Sequence, residues 1–243
     1  MSVYVVARGE GSTPIYRQIR DVLVQEIQSF YKPNDALPTE LELAQRFRVN
    51  RHTLRRAIDE LVAEGLVERR HGKGMFVLEA TIDYAIGKLT RFTETLQLQG
   101  RATSSTVIRK QHVPAMGSVA ARLKIKEGDG VIFIETLRQV ESRPFCVISH
   151  FLPFNHFPEI FEYYDGGSLH EFLDRHYAIE LRREESLISS VLPEADDASL
   201  LNMPRHVPVL RVKSLNLNIR SSVPVEYAVT RFRGDVTQLS INP

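Results

Sequence analysis

Leu37-Pro38-Thr39-Glu40-Leu41-Glu42-Leu43-Ala44-Gln45-Arg46-Phe47-Arg48-Val49-Asn50-Arg51-His52-Thr53-Leu54-Arg55-Arg56-Ala57-Ile58 is the stretch whose reading decides the fold. Thr39 is placed to cap a helix, and Glu42, three residues on, can answer it as in a capping box. Leu41, Ala44 and Phe47 then predict the inner face of a short helix. Only Arg48 and Val49 separate it from Asn50, a second cap. Beyond Asn50, Leu54, Ile58, Leu61 and Val62 predict another amphipathic helix that stops near Gly65. A short helix, a tight turn and a second helix that is basic in its first turns predict a helix-turn-helix. Arg51 and Arg55 fall one turn apart, with His52, Thr53 and Arg56 beside them. Such a face offers guanidinium forks to guanine edges or phosphates, and a short hydroxyl for a phosphate or thymine methyl. Glu40 is expected either to accept from a cytosine amino group or to orient an arginine.

Working outward, Thr13-Pro14 offers a cap and a proline at the first helical position. Ile15, Ile19, Leu23, Ile27 and Phe30, flanked by Val22, predict a long amphipathic helix ending near Tyr31-Lys32-Pro33. On the other side, Leu66 to Leu78 reads as two short strands around a basic turn. Gly72 and Gly74 permit tight backbone there, and Arg70 and Lys73 can reach a groove, so the hairpin is a wing. Any single arginine in this region could belong to a solvated helix face or hairpin. The coincidence of caps, spacing, charge and wing singles out a DNA reader, with Glu40, Arg51, His52, Thr53, Arg55, Arg56, Arg70, Lys73 and Gly74 as its contact residues.

The rest of the 243-residue chain leaves room for a second domain. With 43% apolar and 25% charged residues, composition is that of a globular protein, and no uncharged run approaches bilayer length. Net charge is +1, so the basic cluster is local rather than global. No signal peptide is read at Met1 to Gly11, and a cytoplasmic location is expected. The lone Cys146 sits in an apolar run and predicts a buried, inert thiol. The domains are expected at residues 1–78 and 84–243, joined by the polar stretch 79–83.

In the second domain, helices are predicted from about Thr90 to Gly100, Ser118 to Leu123 and Ser168 to Tyr177. Strands are predicted at Ser105–Gln111, Val131–Val140, Phe145–Leu152, Glu185–Leu192, Val209–Ile219 and Pro224–Arg233. Antiparallel strands interleaved with a few helices make the fold class α+β.

The segments Leu37-Pro38-Thr39-Glu40-x-x-Leu43-Ala44, Val49 to Ala57, Leu61-x-x-x-Gly65-Leu66-Val67 and Gly72-x-Gly74-x-Phe76-Val77 resemble the DNA-binding head of the GntR family of bacterial repressors. Leu137-Arg138, Arg143-Pro144-Phe145, Phe151-Leu152-Pro153, Gly167-Ser168-Leu169 and Glu226-Tyr227 with Arg233 and Asp235 resemble the UTRA effector domain of its HutC branch. The resemblance implies a homodimer on a pseudo-palindromic operator and a fold similar to chorismate lyase. It also implies a small carboxylated or phosphorylated effector. Many members of this branch carry two arginines in the strand that here reads Thr136-Leu137-Arg138. That departure, with Arg91-Phe92-Thr93, resembles the subgroup governing phosphonate uptake and breakdown, and makes a phosphonate, phosphate or related compound the expected effector.

The residues give independent support for an anionic ligand. Arg91 and Thr93 open a helix, and Arg138 and Arg233 lie in strands, where an inward guanidinium needs an acid or an anion. Glu226 can orient Tyr227, fix an arginine or receive a ligand amine, and His150 stands in an apolar run. These charges could instead pair among themselves. Arg182 and Arg183 read either as ligand-facing or as an exposed turn. No compact Ser-His-Asp, paired-carboxylate or metal-ligand spacing emerges, so a sensor with no cofactor is expected ahead of a chorismate-lyase-like enzyme.

Overall fold

A computed structural model describes residues 13–78, 81–89 and 92–241. The chain divides into two compact units between Thr81 and Ile82. The first unit holds α1 (Ile15–Phe30), α2 (Glu40–Phe47), α3 (Arg51–Ala63), β1 (Val67–Arg70) and β2 (Gly74–Val77). The Thr39–Glu42 capping box forms with both of its hydrogen bonds, and the Asn50 side chain accepts from the Thr53 amide at 2.8 Å. Between these caps Arg48 adopts the left-handed conformation that ends α2 and sets up the turn into α3. α1 starts differently from expectation: Pro14 occupies the cap position and no side chain caps the helix.

Ile19, Leu23 and Ile27 of α1 close a core with Leu43, Phe47, Leu54, Ile58 and Leu61, sealed by Val67, Met75 and Val77 of the wing. Leu43, rather than the expected Leu41, faces that core. Two residues turn a helix by about 200°, so with Leu43, Ala44 and Phe47 inward Leu41 points to solvent. Phe30 is likewise 80% exposed, because α1 runs past the core at its last turn.

The second unit contains β3 (Ile82–Ile86), α4 (Phe92–Leu98), β4 (Thr103–Pro114), α5 (Gly117–Leu123), β5 (Gly130–Val140), β6 (Arg143–Pro153) and α6 (Ile160–Tyr163). It continues with α7 (Leu169–Tyr177), β7 (Leu181–Val191), α8 (Ala195–Leu200), β8 (Val209–Asn218), β9 (Pro224–Arg233) and β10 (Thr237–Ile241). Six strands form one antiparallel sheet in the order β4-β5-β6-β9-β8-β7. Glu141 and Ser142, both at positive φ, make the two-residue turn joining β5 to β6.

Ile82 and Asp83, expected in the connecting stretch, are the first residues of β3. That strand pairs in parallel with β10, from the far end of the chain. With a partner some 155 positions away, no local pattern announces it. Ile82, Tyr84, Phe92, Phe145 and Phe232 pack on one face of the large sheet, while α5 and α8 cover parts of the other. Cys146 is fully buried, and burial pushes its thiol up to about 12. No helix among the described residues is long and apolar enough to cross a membrane.

Candidate functional site

The head presents its cations in two states. Arg51 and Arg55 stand exposed on the first turns of α3, beside exposed His52 and half-buried Thr53, and neither is in an ion pair among the described residues. Lys73 and Gly74 are exposed at the wing turn, where Gly72 and Gly74 take the positive φ that the tight geometry requires. By contrast, Arg56 lies over the Tyr16 ring at 4.0 Å. Arg70 is bound to Glu68 and Asn34 and stacks on Phe76. Glu40 pairs with Arg69 at 3.2 Å, and Arg69 also bonds Asp59 at 2.6 Å. Of the two roles read for Glu40, orienting an arginine is the one visible here.

In the body, a cleft opens on the face of the sheet packed by β3, α4 and α7. Thr93, Arg138, His150 and Glu226 all line it. Strand register explains why: Glu226, Ala228, Thr230 and Phe232 alternate onto one face of β9, opposite Asn216, Ser214, Val212 and Leu210 of β8. The same alternation places Tyr227 and Arg233 on the other face. Tyr227 packs with Val131, Ala120 and Leu123 under α5, and Arg233 bonds Asp235 at 2.7 Å. Neither lines the cleft. Arg91 lies outside the described residues.

Glu226 is fully buried and holds three donors. His150 Nδ1 lies 2.5 Å from one oxygen, and His170 Nε2 at 2.7 Å and Asn216 Nδ2 at 2.6 Å engage the other. Burial opposes its charge, but His170 and His150 outweigh burial and hold the carboxyl well below the usual carboxylate range. His150 is shifted down by burial, against the pull of Glu226, so it sits here as a neutral ring. A neutral His150 that donates from Nδ1 to Glu226 leaves Nε2 to accept from the Thr136 hydroxyl, 3.3 Å away. The Glu226 carboxylate, which can only accept, therefore fixes the tautomer of His150, and the Thr136 hydroxyl answers its other nitrogen.

Arg138 is 3% exposed. Its Nη1 donates to the Gly167 carbonyl at 2.7 Å, ahead of α7, while its Nε is buried without a partner. No carboxylate pairs with it among the described residues. Ser168 caps α7 by accepting from the Glu171 amide, which leaves the first amides of the helix to a ligand or water. His170, Asn216 and Arg183 also line the cleft, and sequence reading did not select His170 or Asn216. Their signal is long-range: each reaches the site only through the pairing of β7, β8 and β9 or the docking of α7.

A winged helix-turn-helix joined to an α+β body with a charged cleft is the architecture of a DNA-binding transcriptional regulator. Residues 15–77 match the family model for bacterial regulatory proteins of the gntR family, and residues 98–238 match the UTRA domain. The chain is 39% identical over 93% of its length to the probable transcriptional regulator PhnF of Escherichia coli (strain K12), covering 94% of that protein. It is 30% identical, over 93% of its length and 94% of the relative, to the mannosyl-D-glycerate transport/metabolism system repressor MngR of the same organism. The crystal structure of PhnF from Mycobacterium smegmatis superposes with a TM-score of 0.69 at 25% identity, over 93% of this chain and 98% of that one. The chain belongs to the GntR family of bacterial transcriptional regulators, and its second unit is a UTRA domain.

Proposed function

We propose that this protein is a cytoplasmic, homodimeric repressor that binds a pseudo-palindromic operator and is controlled by a small anionic effector in the UTRA cleft. The effector class we infer is a phosphonate, phosphate or related phosphorylated compound, and the regulated genes serve phosphonate transport and metabolism. The observation that carries the anionic reading is Arg138: a guanidinium 3% exposed, facing a cleft and lacking an acidic partner among the described residues. A buried charge left in that state is costly, and an oxyanion relieves the cost with charge-assisted hydrogen bonds. Likeness to PhnF supports the phosphonate assignment. Likeness to MngR supports a second reading, a carboxylated metabolite in the same cleft.

On the DNA side, Arg51, Thr53 and Arg55 are the residues of α3 offered to bases and phosphates, with Lys73 and Gly74 at the wing. Arg56 and Arg70 reach DNA only by leaving Tyr16 and Phe76. The enzymatic reading has one observation behind it: Thr136, His150 and Glu226 are connected as hydroxyl, imidazole and carboxylate. Thr136 is fully buried and absent from the cleft lining, so its hydroxyl meets no substrate there.

Titration of the DNA upstream of the protein's own gene, with and without 2-aminoethylphosphonate or methylphosphonate, tests the proposal. A ligand must bind the DNA-competent and incompetent states differently to act. Operator affinity is expected to change with a phosphonate recovered unaltered. Unchanged affinity across the phosphonates would reject the proposed control, and turnover of the ligand would favour the enzyme.

A further inference from the structure

The cleft contains a second guanidinium. Arg183 lies on β7, while Arg138 lies on β5, four strand spacings away across the sheet, or about 19 Å before the side chains reach inward. The two arginines are bonded alike, although Arg138 is buried and Arg183 half-buried. Nη1 of Arg183 donates to the Gly87 carbonyl at 3.2 Å, and its Nε is buried without a partner, as is the Nε of Arg138. The one acid among the described residues of the cleft lining, Glu226, already accepts from His150, His170 and Asn216. Tyr84 stands beside Arg183; burial pushes its hydroxyl up to about 12 against the opposing positive charge of Arg183 and, more weakly, Arg138. It therefore does not supply the missing negative charge.

A bulge puts Arg183 there. Counting down the β7–β8 ladder, Ile188 faces Val212 and Ser186 faces Ser214. Uninterrupted register would next set Glu184 opposite Asn216, on the cleft side. The shift between Arg183 and Glu185 sets Arg183 there instead. Glu184 pairs with Arg182 at 2.8 Å and does not line the cleft. One extra residue thus replaces a carboxylate with a guanidinium at the site.

We propose that Arg183 is a second anion-binding residue of the cleft, and that the effector carries two negative charges shared between Arg138 and Arg183. β5 supplies one positive charge to the cleft, Arg138, and β7 supplies another, Arg183, from the opposite flank. This assignment rests on reading the cleft as the effector site.

The test uses the full chain as wild type, Arg183→Met, Arg183→Lys and, as a control on the neighbouring side chain, Arg182→Met. Calorimetric titration is run with methylphosphonate, 2-aminoethylphosphonate, phosphonoacetate, inorganic phosphate and acetate. Doubly charged probes are expected to bind wild type and Arg182→Met equally, to lose at least tenfold in Arg183→Met, and to lose less in Arg183→Lys, which keeps the charge without the fork. Ligand-free operator affinity should be the same in all four. Equal binding by Arg183→Met and wild type, or acetate binding as tightly as the dianions, would overturn the assignment. So would failure of every dianion to bind wild type. If phosphate binds and no phosphonate does, while Arg183→Met still loses tenfold, the phosphonate reading falls and Arg183 stands. Should Arg183→Met not fold, Arg183→Lys decides: undiminished binding of the dianions rejects the proposal.

Discussion

Two arginines of the body, the half-buried Arg231 and the buried Arg138, lie on opposite faces of the same sheet, and the protein treats them differently. Arg231 reaches Glu135 at 3.0 Å, Asp197 at 2.9 Å and the Ser149 hydroxyl at 2.9 Å, and Glu135 is held in turn by Arg109 at 2.8 Å. Every charge in that group is answered by another side chain. Arg138 has the Gly167 carbonyl and an unpartnered Nε. A fully answered buried network holds a fold in register, while an unanswered charge beside a cleft waits for something from outside. The head adds a third treatment: Arg51 and Arg55 stay in water, where an unpaired guanidinium costs little until DNA arrives.

The largest expected effect breaks the first half of that comparison. Arg231→Met strands Asp197, leaves Glu135 to Arg109 alone and should cost about 3–5 kcal/mol in urea unfolding. Arg138→Met removes a charge that has no counterpart, so without ligand it should leave the unfolding midpoint unchanged or raise it, while abolishing the ligand response. Equal losses in the two variants would erase the distinction. The next effect lies in the head. Arg55→Ala should weaken operator binding by about 1–3 kcal/mol, roughly 5- to 150-fold, and shift stability by no more than about 0.5 kcal/mol, as expected for an exposed side chain. A stability loss matching the binding loss would mean that Arg55 serves the fold. Asn50→Ala should cost about 1 kcal/mol, since it removes the acceptor for the Thr53 amide. Thermal unfolding of the head reads it, and an unchanged midpoint would deny the cap.

These outcomes track what was legible in the sequence. The head is a local structure: Thr39, Glu42 and Asn50 act on neighbours three residues away, so the caps, the turn and the wing were readable from spacing alone. The body's long strands were readable too, by alternation. Its site was readable only in part. Arg138, His150, Glu226 and Thr93 were within reach because of residue type and family likeness, but which face each strand turns inward is set by pairing. Hence residue type alone groups Tyr227 and Arg233 with Glu226, although odd positions of β9 face away from the cleft. Arg183 was left open because a bulge decides its direction, and a bulge has no sequence signature here. His170 was missed because its partner, Glu226, lies 56 residues away.

The smallest expected effect is a slope rather than a step, and it sharpens the contrast between buried and exposed groups. His150 is 4% exposed, and burial shifts its ring below the ordinary value of 6.5 despite the adjoining Glu226. On unfolding, the ring recovers its ordinary affinity for a proton. Between the ordinary value and the lowered one, the unfolded chain therefore binds more protons than the folded one, and stability rises with pH across that window. The contribution is complete above about pH 6.5 and is lost as pH falls through the folded value of His150. Glu226, also shifted down, extends the loss only below the ordinary carboxylate range. Urea midpoints at pH 7.5 and 5.5 should thus fall on acidification in wild type. The fall should be smaller in His150→Asn, which keeps a donor toward Glu226 without a group that titrates. An identical fall in both proteins would move the pH sensitivity away from His150.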